Sequence, residues 1–310
     1  MENIILETRS IGMRYGNFNV LSNISLSLRQ GRIYGFIGEN GAGKTTLLRV
    51  ITGLALPTSG ELALFGKTAK RDLEAGRRQI GSTIEDPALH LEYTAEKNLE
   101  LQRILVGNPD KEVIERTLQL VGLWDNRAKK VKDFSMGMKQ RLGIALSLIG
   151  NPQILILDEP VNGLDPKGIA DLRLILQKLN EEQKITILIS SHILNELYLL
   201  ATDYIIIHKG RIIETLTHDE LAERCQKYIS IQMDDVNVGV TVIERELQTD
   251  NFKVMENGMV HLYGYTHDVP TVAKVLQDNS ILVTHISLVE QSLEEYYFAV
   301  MGGASNVQSA

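Results

Sequence analysis

The chain has 310 residues, 44% of them hydrophobic and 23% charged, with a formal net charge of −7. That length carries a well-buried core and reaches the size at which chains divide into two domains. The acidic balance argues against nucleic acid as a partner, since duplex binding calls for a basic face, and the single cysteine, Cys225, excludes an internal disulfide and fits a reducing compartment. The most apolar runs, Leu142 to Ile149, Ile154 to Leu157 and Tyr204 to Ile207, fall far short of the roughly 20 residues that cross a bilayer. Met1-Glu2-Asn3-Ile4 lacks the basic and apolar regions of a signal peptide. A cytoplasmic chain is expected, with any membrane role exerted through another polypeptide.

In chain order, Ile4 to Met13 and Asn19 to Leu28 read as two strands around the turn Arg14-Tyr15-Gly16-Asn17. Val20, Ser22, Ile24 and Leu26 keep the period of two expected of a strand, so the pair predicts an antiparallel layer beside a parallel sheet. Tyr15, in the turn, is either a surface aromatic or a stacking face for adenine. The apolar run Arg32 to Ile37 then enters Gly38-Glu39-Asn40-Gly41-Ala42-Gly43-Lys44-Thr45, which has the G-x-x-x-x-G-K-[ST] form of a phosphate-binding loop. From Thr46 to Ile51 apolar residues recur at helical spacing. Strand, glycine turn and helix start aim backbone N–H groups and the positive end of a helix dipole at a phosphate chain, and the glycines let the backbone close around it. Lys44 is expected to reach the β- and γ-phosphates and the Thr45 hydroxyl to ligate Mg²⁺. The stretch Gly38 to Thr46 thus predicts binding of a nucleoside triphosphate.

Beyond it, Pro57 to Gly60 reads as a loop, Glu61 to Phe65 as a strand, Arg71 to Arg78 as a charged connector and Gln79 to Ile84 as a strand ending at Glu85-Asp86-Pro87. Thr94 to about Lys132 is helical in composition, broken at Gly107-Asn108-Pro109, and Trp124 near its end reads as core packing. Ser135 is placed to cap a helix whose apolar face is Met138, Leu142, Ala145, Leu146 and Ile149. Asn151-Pro152 stops that helix, and the buried strand Ile154 to Leu157 runs into Asp158-Glu159. At the C-terminal end of a strand, where α/β ligands collect, Asp158 is expected to hold Mg²⁺ and Glu159 to polarise the attacking water as general base. A helix over Asp171 to Leu179, a strand from Ile185 to Ile189 ending in Ser190-Ser191-His192, a further helix and the strand Tyr204 to His208 complete a parallel α/β core.

From about Tyr228 the pattern changes. Strand, helix, the Asn257-Gly258 hairpin, helix and strand follow one another as β-α-β-β-α-β, the ferredoxin-like order. A last helix runs from Leu293 to Met301. The expected domains are 1–222, with a helical part over about 86–150, then 223–301, then a disordered tail at 302–310. His261, His267 and His285 lack metal-ligand spacing and read as ordinary polar histidines.

The stretch Phe134-Ser135-Met136-Gly137-Met138-Lys139-Gln140-Arg141 resembles the signature motif of ATP-binding cassette proteins, commonly Leu-Ser-Gly-Gly-Gln. Ser135 and Gly137 keep the pattern, while Phe134, Met136 and Met138 depart from it. The resemblance covers roughly residues 1 to 220, with the family's elements in order. It implies Tyr15 as the adenine-stacking aromatic, Gly38 to Thr45 as Walker A, Ile154 to Glu159 as Walker B and Gly163-Leu164-Asp165-Pro166 as the D-loop that crosses to the partner subunit. It also implies His192 as the switch histidine that hydrogen-bonds the γ-phosphate.

The fold so implied is α/β: a P-loop NTPase cassette with parallel core sheet, antiparallel β layer and helical subdomain, here followed by a small α+β domain. The activity implied is ATP hydrolysis with Mg²⁺. Family members close head to tail, so Ser135, Met136, Gly137 and Met138 of one subunit would complete the ATP site of another, in a homodimer or heterodimer. Separate transmembrane permease subunits would hold the ATPase at the inner face of the membrane.

The family usually carries glutamine where this chain has Glu85. Glutamate brings a full negative charge and, when ionised, no donor, so it is expected to bind Mg²⁺ more strongly and to repel the γ-phosphate without it. Glu85, the stretch Ile84 to Leu89 and the stretch Ser292 to Tyr297 are similar to the branch that handles lantibiotics, bacitracin and other antimicrobial peptides. That branch implies export of, or immunity to, amphipathic peptides. Two other readings stand beside it. One is a soluble cassette protein acting on ribosomes or DNA; such proteins usually have two cassettes or a long coiled coil, and this chain has one cassette. The other is a non-hydrolysing ATP sensor, against which Lys44, Glu159 and His192 are all present.

Overall fold

The computed structural model describes residues 3–306 except 256, 264 and 290–292. The chain divides into two compact units, Met1–His218 and Asp219–Ala310.

In the first unit, β1 (Ile4–Tyr15) and β2 (Phe18–Arg29) form the expected antiparallel pair. Next come β3 (Ile33–Ile37), α1 (Lys44–Thr52) and β4 (Ser59–Leu64), and β4 joins the other edge of β1. The segment expected to be a connector is a helix, α2 (Lys70–Arg77). Its one large apolar residue, Leu73, packs on the core beneath the β layer, and its Gly76 sits so close that a Cβ there would lie 3.0 Å from Leu64 Cβ. One buried contact per two turns leaves almost no periodic signal in a charged sequence.

After β5 (Ile80–Thr83), the helical part comprises α3 (Ala95–Leu105), α4 (Val113–Leu120) and α5 (Met136–Leu148). Trp124 is not core: it is half-buried at the surface, with the Arg127 guanidinium 4.3 Å from its ring centroid. Helix α5 is buried over more than the expected face, because Gly143, Ile144 and Leu148 are covered as well. Gly143 is required here, since its Cβ would fall 2.6 Å from Pro87.

The core strands β6 (Ile154–Asp158), β7 (Thr186–Ser191) and β8 (Asp203–His208), with α6 (Pro166–Gln183) and α7 (Leu194–Tyr198), complete a six-stranded sheet of order β5-β6-β7-β3-β8-β9. Five strands are parallel, and β9 (Arg211–Thr217) closes the edge antiparallel. Ile154, Leu155, Ile156 and Leu157 are fully buried, as a central parallel strand covered on both faces requires. Strand β7 lies between β3 and β6, so the C-terminal ends of all three meet along one rim.

The second unit begins around α8 (His218–Arg224) and contains β10 (Tyr228–Met233), α9 (Val236–Leu247), β11 (Phe252–Val254), β12 (Val260–Leu262), α10 (Val269–Asp278) and β13 (Val283–Val289). Its sheet order, β11-β12-β10-β13, is wholly antiparallel. In the numbering of that unit the order is 2-3-1-4, the ferredoxin-like arrangement of a split β-α-β. Ile229, Ile231, Val242, Ile243, Val272 and Leu276 form its core. The final helix, α11, runs Leu293–Asn306, so residues 302–306, expected in a disordered tail, are helical. Position 292 and residues 307–310 lie outside the described residues. Among the described residues no helix is long and apolar enough to cross a membrane.

Candidate functional site

The loop between β3 and α1 is held from beneath. The Gly210 N–H, in the β8–β9 turn, donates to the Ala42 carbonyl at 2.9 Å, and Ser22 N–H donates to the Gly210 carbonyl at 2.8 Å. Gly43 has φ 108° and caps α1 without any side-chain acceptor. The first N–H groups of α1 therefore face the loop's concavity with the dipole behind them, which is how a helix start receives an anion. Gly38 tolerates no side chain: a Cβ would fall 2.7 Å from Ile207 Cγ2 and from the Ile207 carbonyl. Glu39, Asn40 and Gly41 are exposed at the loop's crest, Ala42 and Gly43 are buried beneath it, and Thr46 is half-buried on the first turn of α1.

Lys44, on the first position of α1, is 6% exposed. Its ammonium donates to the Gly38 carbonyl at 2.6 Å and pairs with Glu159 Oε1 at 3.1 Å. The Thr45 hydroxyl donates to Asp158 Oδ2 at 2.7 Å. The other oxygen of Asp158 accepts from the Ser190 hydroxyl at 2.5 Å, a direct result of strand register, because Asp158 and Ser190 are neighbours across β6 and β7. The Ser190 hydroxyl in turn accepts from the Glu159 N–H at 2.9 Å.

Glu159 follows β6 with φ 47°, a left-handed conformation that costs a non-glycine residue about 1–2 kcal/mol. That turn brings its second carboxylate oxygen to His192, whose Nδ1 lies 2.8 Å away and whose backbone N–H donates to the same oxygen at 3.3 Å. Lys44, Thr45, Asp158, Glu159, Ser190 and His192 thus form one connected group. The carboxylate of Glu159, 17% exposed, is set between a cation and an imidazole where it can orient and deprotonate a water.

For a magnesium ion, the oxygen pair Thr45 and Asp158 is the fitting donor set. Magnesium takes hard oxygens, commonly one or two carboxylates completed by phosphate and water rather than an all-protein cage. Among the described residues no cluster of three or more His, Cys, Asp or Glu could form such a cage.

The remaining residues of the sequence reading lie outside this group. Tyr15 is 49% exposed at the β1–β2 turn. Ser135 caps α5, its hydroxyl accepting from Met138 N–H at 3.3 Å, and Met136 is 49% exposed. Gly137 and Met138 are half-buried on the first turn. Met136 lies against Gly163, whose Cβ would come 2.7 Å from its sulfur, and Gly137 lies near Leu164, so the signature stretch packs on the loop before α6. Asp165 caps α6, accepting from Gly168 N–H at 2.9 Å. Glu85 is exposed at φ 62°, and its carboxylate pairs with Arg49 on α1 at 2.5 Å. Sequence reasoning does not reach Ser190 or Gly210: Ser190 reads as a strand end, and only the three-dimensional arrangement joins the two residues to the site.

The chain is similar to known proteins. The family model described as "ABC transporter" matches residues 21–162. The chain is 38% identical over 301 residues to the bacitracin transport ATP-binding protein BcrA of Bacillus licheniformis, covering 97% of this chain and 98% of that protein. It is 42% identical over 216 residues to the lantibiotic transport ATP-binding protein SrtF of Streptococcus pyogenes, covering 69% of this chain and 92% of that one. Among solved structures, the ATP-binding cassette MJ0796 in a dimeric, post-hydrolysis state bound to ADP and phosphate superposes with a TM-score of 0.63 at 25% identity, over 69% of this chain and 99% of that one.

Proposed function

Because this chain belongs to the ABC transporter ATP-binding family, and is thereby an ATPase, we propose that it powers a membrane permease that exports, or confers immunity to, amphipathic antimicrobial peptides. The peptide class rests on similarity to BcrA and SrtF, whose names state bacitracin and lantibiotic transport. The observation that carries the catalytic part is the bridge from Lys44 through Glu159 to His192, at 3.1 and 2.8 Å.

In this reading the N–H groups at the start of α1 and Lys44 bind the β- and γ-phosphates. Thr45 and Asp158 would hold Mg²⁺, which would supply charge neutralisation to the phosphates. Glu159 takes the proton of the attacking water, and His192 turns from Glu159 to the γ-phosphate. Ser190 fixes Asp158 and Glu159 relative to each other. Ser135 to Met138 of a second subunit cover the γ-phosphate from the opposite side, so ATP favours the closed dimer and its hydrolysis removes that preference. Tyr15 stacks on the adenine.

A cleft of about 760 Å³ lies between the core and the helical part, with Leu54, Ile84, Asp86, Pro87, Leu105 and Val106 among its lining residues. Leu54 and Leu105, 70% and 79% exposed, line this cleft, where grouped apolar residues suit a protein contact. We place the permease there, at the inner face of the membrane. The test is resistance to bacitracin and a lantibiotic in cells expressing the chain with a candidate permease. Resistance that requires both chains and is lost on Lys44→Ala supports the proposal. Equal resistance with the inactive variant overturns it.

A further inference from the structure

Arg49 has no part in the nucleotide chemistry described above, yet it is the residue that holds Glu85. It sits on α1 one turn beyond Thr45, and its Nη2 lies 2.5 Å from Glu85 Oε1. Glu85 in turn stands between Ile84 and Asp86, both of which line the cleft. Its backbone is in the left-handed region at φ 62°, where a glutamate has no intrinsic reason to remain. The far end of α1 is anchored too: Arg77 Nε donates to the Ile51 carbonyl at 3.2 Å, and the helix leads from the phosphate loop to Leu54 in the cleft. Both side chains of the pair are well exposed, at 39% and 60%. Such a pair adds little to stability, and its placement calls for another explanation.

We propose that Arg49 is the positioning residue for Glu85, restraining its carboxylate at α1 so that the carboxylate is available to the nucleotide's magnesium ion but kept from the bare phosphates. Glu85 follows β5, whose Thr83 pairs with Leu157 next to Asp158, so a glutamate on this rim brings a charge that repels the γ-phosphate whenever the metal is lacking. An arginine on the nucleotide-binding helix cancels that charge and sets where the carboxylate can go. This inference rests on the nucleotide-site reading above.

The experiment is a double-mutant cycle of Arg49→Ala and Glu85→Gln in the full chain, read as equilibrium binding of ATP by calorimetry in EDTA and in excess Mg²⁺. With Arg49 restraining Glu85, Arg49→Ala raises the ratio of Mg²⁺-ATP to metal-free ATP affinity about fivefold or more, the effect of one unit charge acting across a partly screened site. In the Glu85→Gln background the ratio does not respond to Arg49→Ala, and Arg49→Lys keeps most of the wild-type ratio. Equal responses in both backgrounds would show Arg49 acting only as a distant charge and would overturn the proposal. So would a ratio that Arg49→Ala leaves unchanged. If the wild-type chain bound neither form of ATP, the nucleotide-site reading itself would fail, which separates the two failures.

Discussion

The Ser190 hydroxyl joins the two acids of the site: it donates to Asp158 at 2.5 Å and accepts from the Glu159 backbone N–H at 2.9 Å. Ser190→Ala removes both bonds and leaves the Asp158 oxygen without its fixed partner. Groups that orient a metal ligand typically affect metal affinity or activity about 10- to 100-fold. A fall of that order in kcat, with a raised Mg²⁺ requirement, is the expected outcome of a steady-state ATPase assay over a magnesium series, beside a stability loss of about 1–3 kcal/mol for the unpaired carboxylate oxygen.

Glu159→Gln keeps the shape of the side chain and removes its basicity. Hydrolysis should fall by about 10²- to 10⁴-fold, the usual weight of a general base, while ATP binding persists. With millimolar ATP and Mg²⁺ the variant should elute as a dimer on size exclusion. A species that stays monomeric under those conditions would count against head-to-tail closure.

Lys44→Ala deletes the buried cation that meets Gly38 and Glu159. It leaves the Glu159 carboxylate without its counter-ion and the phosphates without their strongest partner. Loss of measurable ATP binding by calorimetry is expected, together with loss of all ATPase activity.

Gly210→Ala tests the support beneath the phosphate loop. At φ +73° the added Cβ would meet the Val20 carbonyl at 2.1 Å, so the turn must shift and Ala42 loses its donor. Strain and displaced packing of this kind cost roughly 1–3 kcal/mol. Urea unfolding should show that loss, and ATP affinity should fall as well. A destabilised protein with unchanged affinity would show the loop to be independent of its support.

Cys225 gives a prediction in the second unit. Burial pushes its thiol above the ordinary value, so the reactive thiolate is scarcer at any given pH than for a free thiol. Alkylation by iodoacetamide at pH 8 should be slower than for glutathione under the same conditions and should accelerate as pH rises through the alkaline range.

Much of this arrangement was legible in the residue order. The phosphate loop, the acids at the end of β6 and the alternation of strands and helices each carry local patterns of spacing and composition, and the structure follows them. What escaped was set by packing at a distance. Helix α2 hid because a single leucine makes its contact. Trp124 lies half-buried with the Arg127 guanidinium over its ring, a placement that local composition does not announce. The partner of Glu85 was unreadable because nothing in a linear chain links position 49 to position 85. Ser190 looked like the end of a strand until its register beside Asp158 gave the hydroxyl a role.

The placement of β3 has a consequence for synthesis on the ribosome. Its two sheet neighbours are β7 and β8, both translated long after the phosphate loop itself. A nascent chain that has just emerged past α5 carries every glycine of the loop but has no strand to dock it on either side. Contacts spanning such sequence distances form late and slowly. The phosphate loop therefore gains both flanking strands and its support from beneath only once Gly210 has left the exit tunnel. Until then, cellular ATP has no finished pocket to stabilise, and the apolar residues of β3 lack the strands that flank them in the folded sheet.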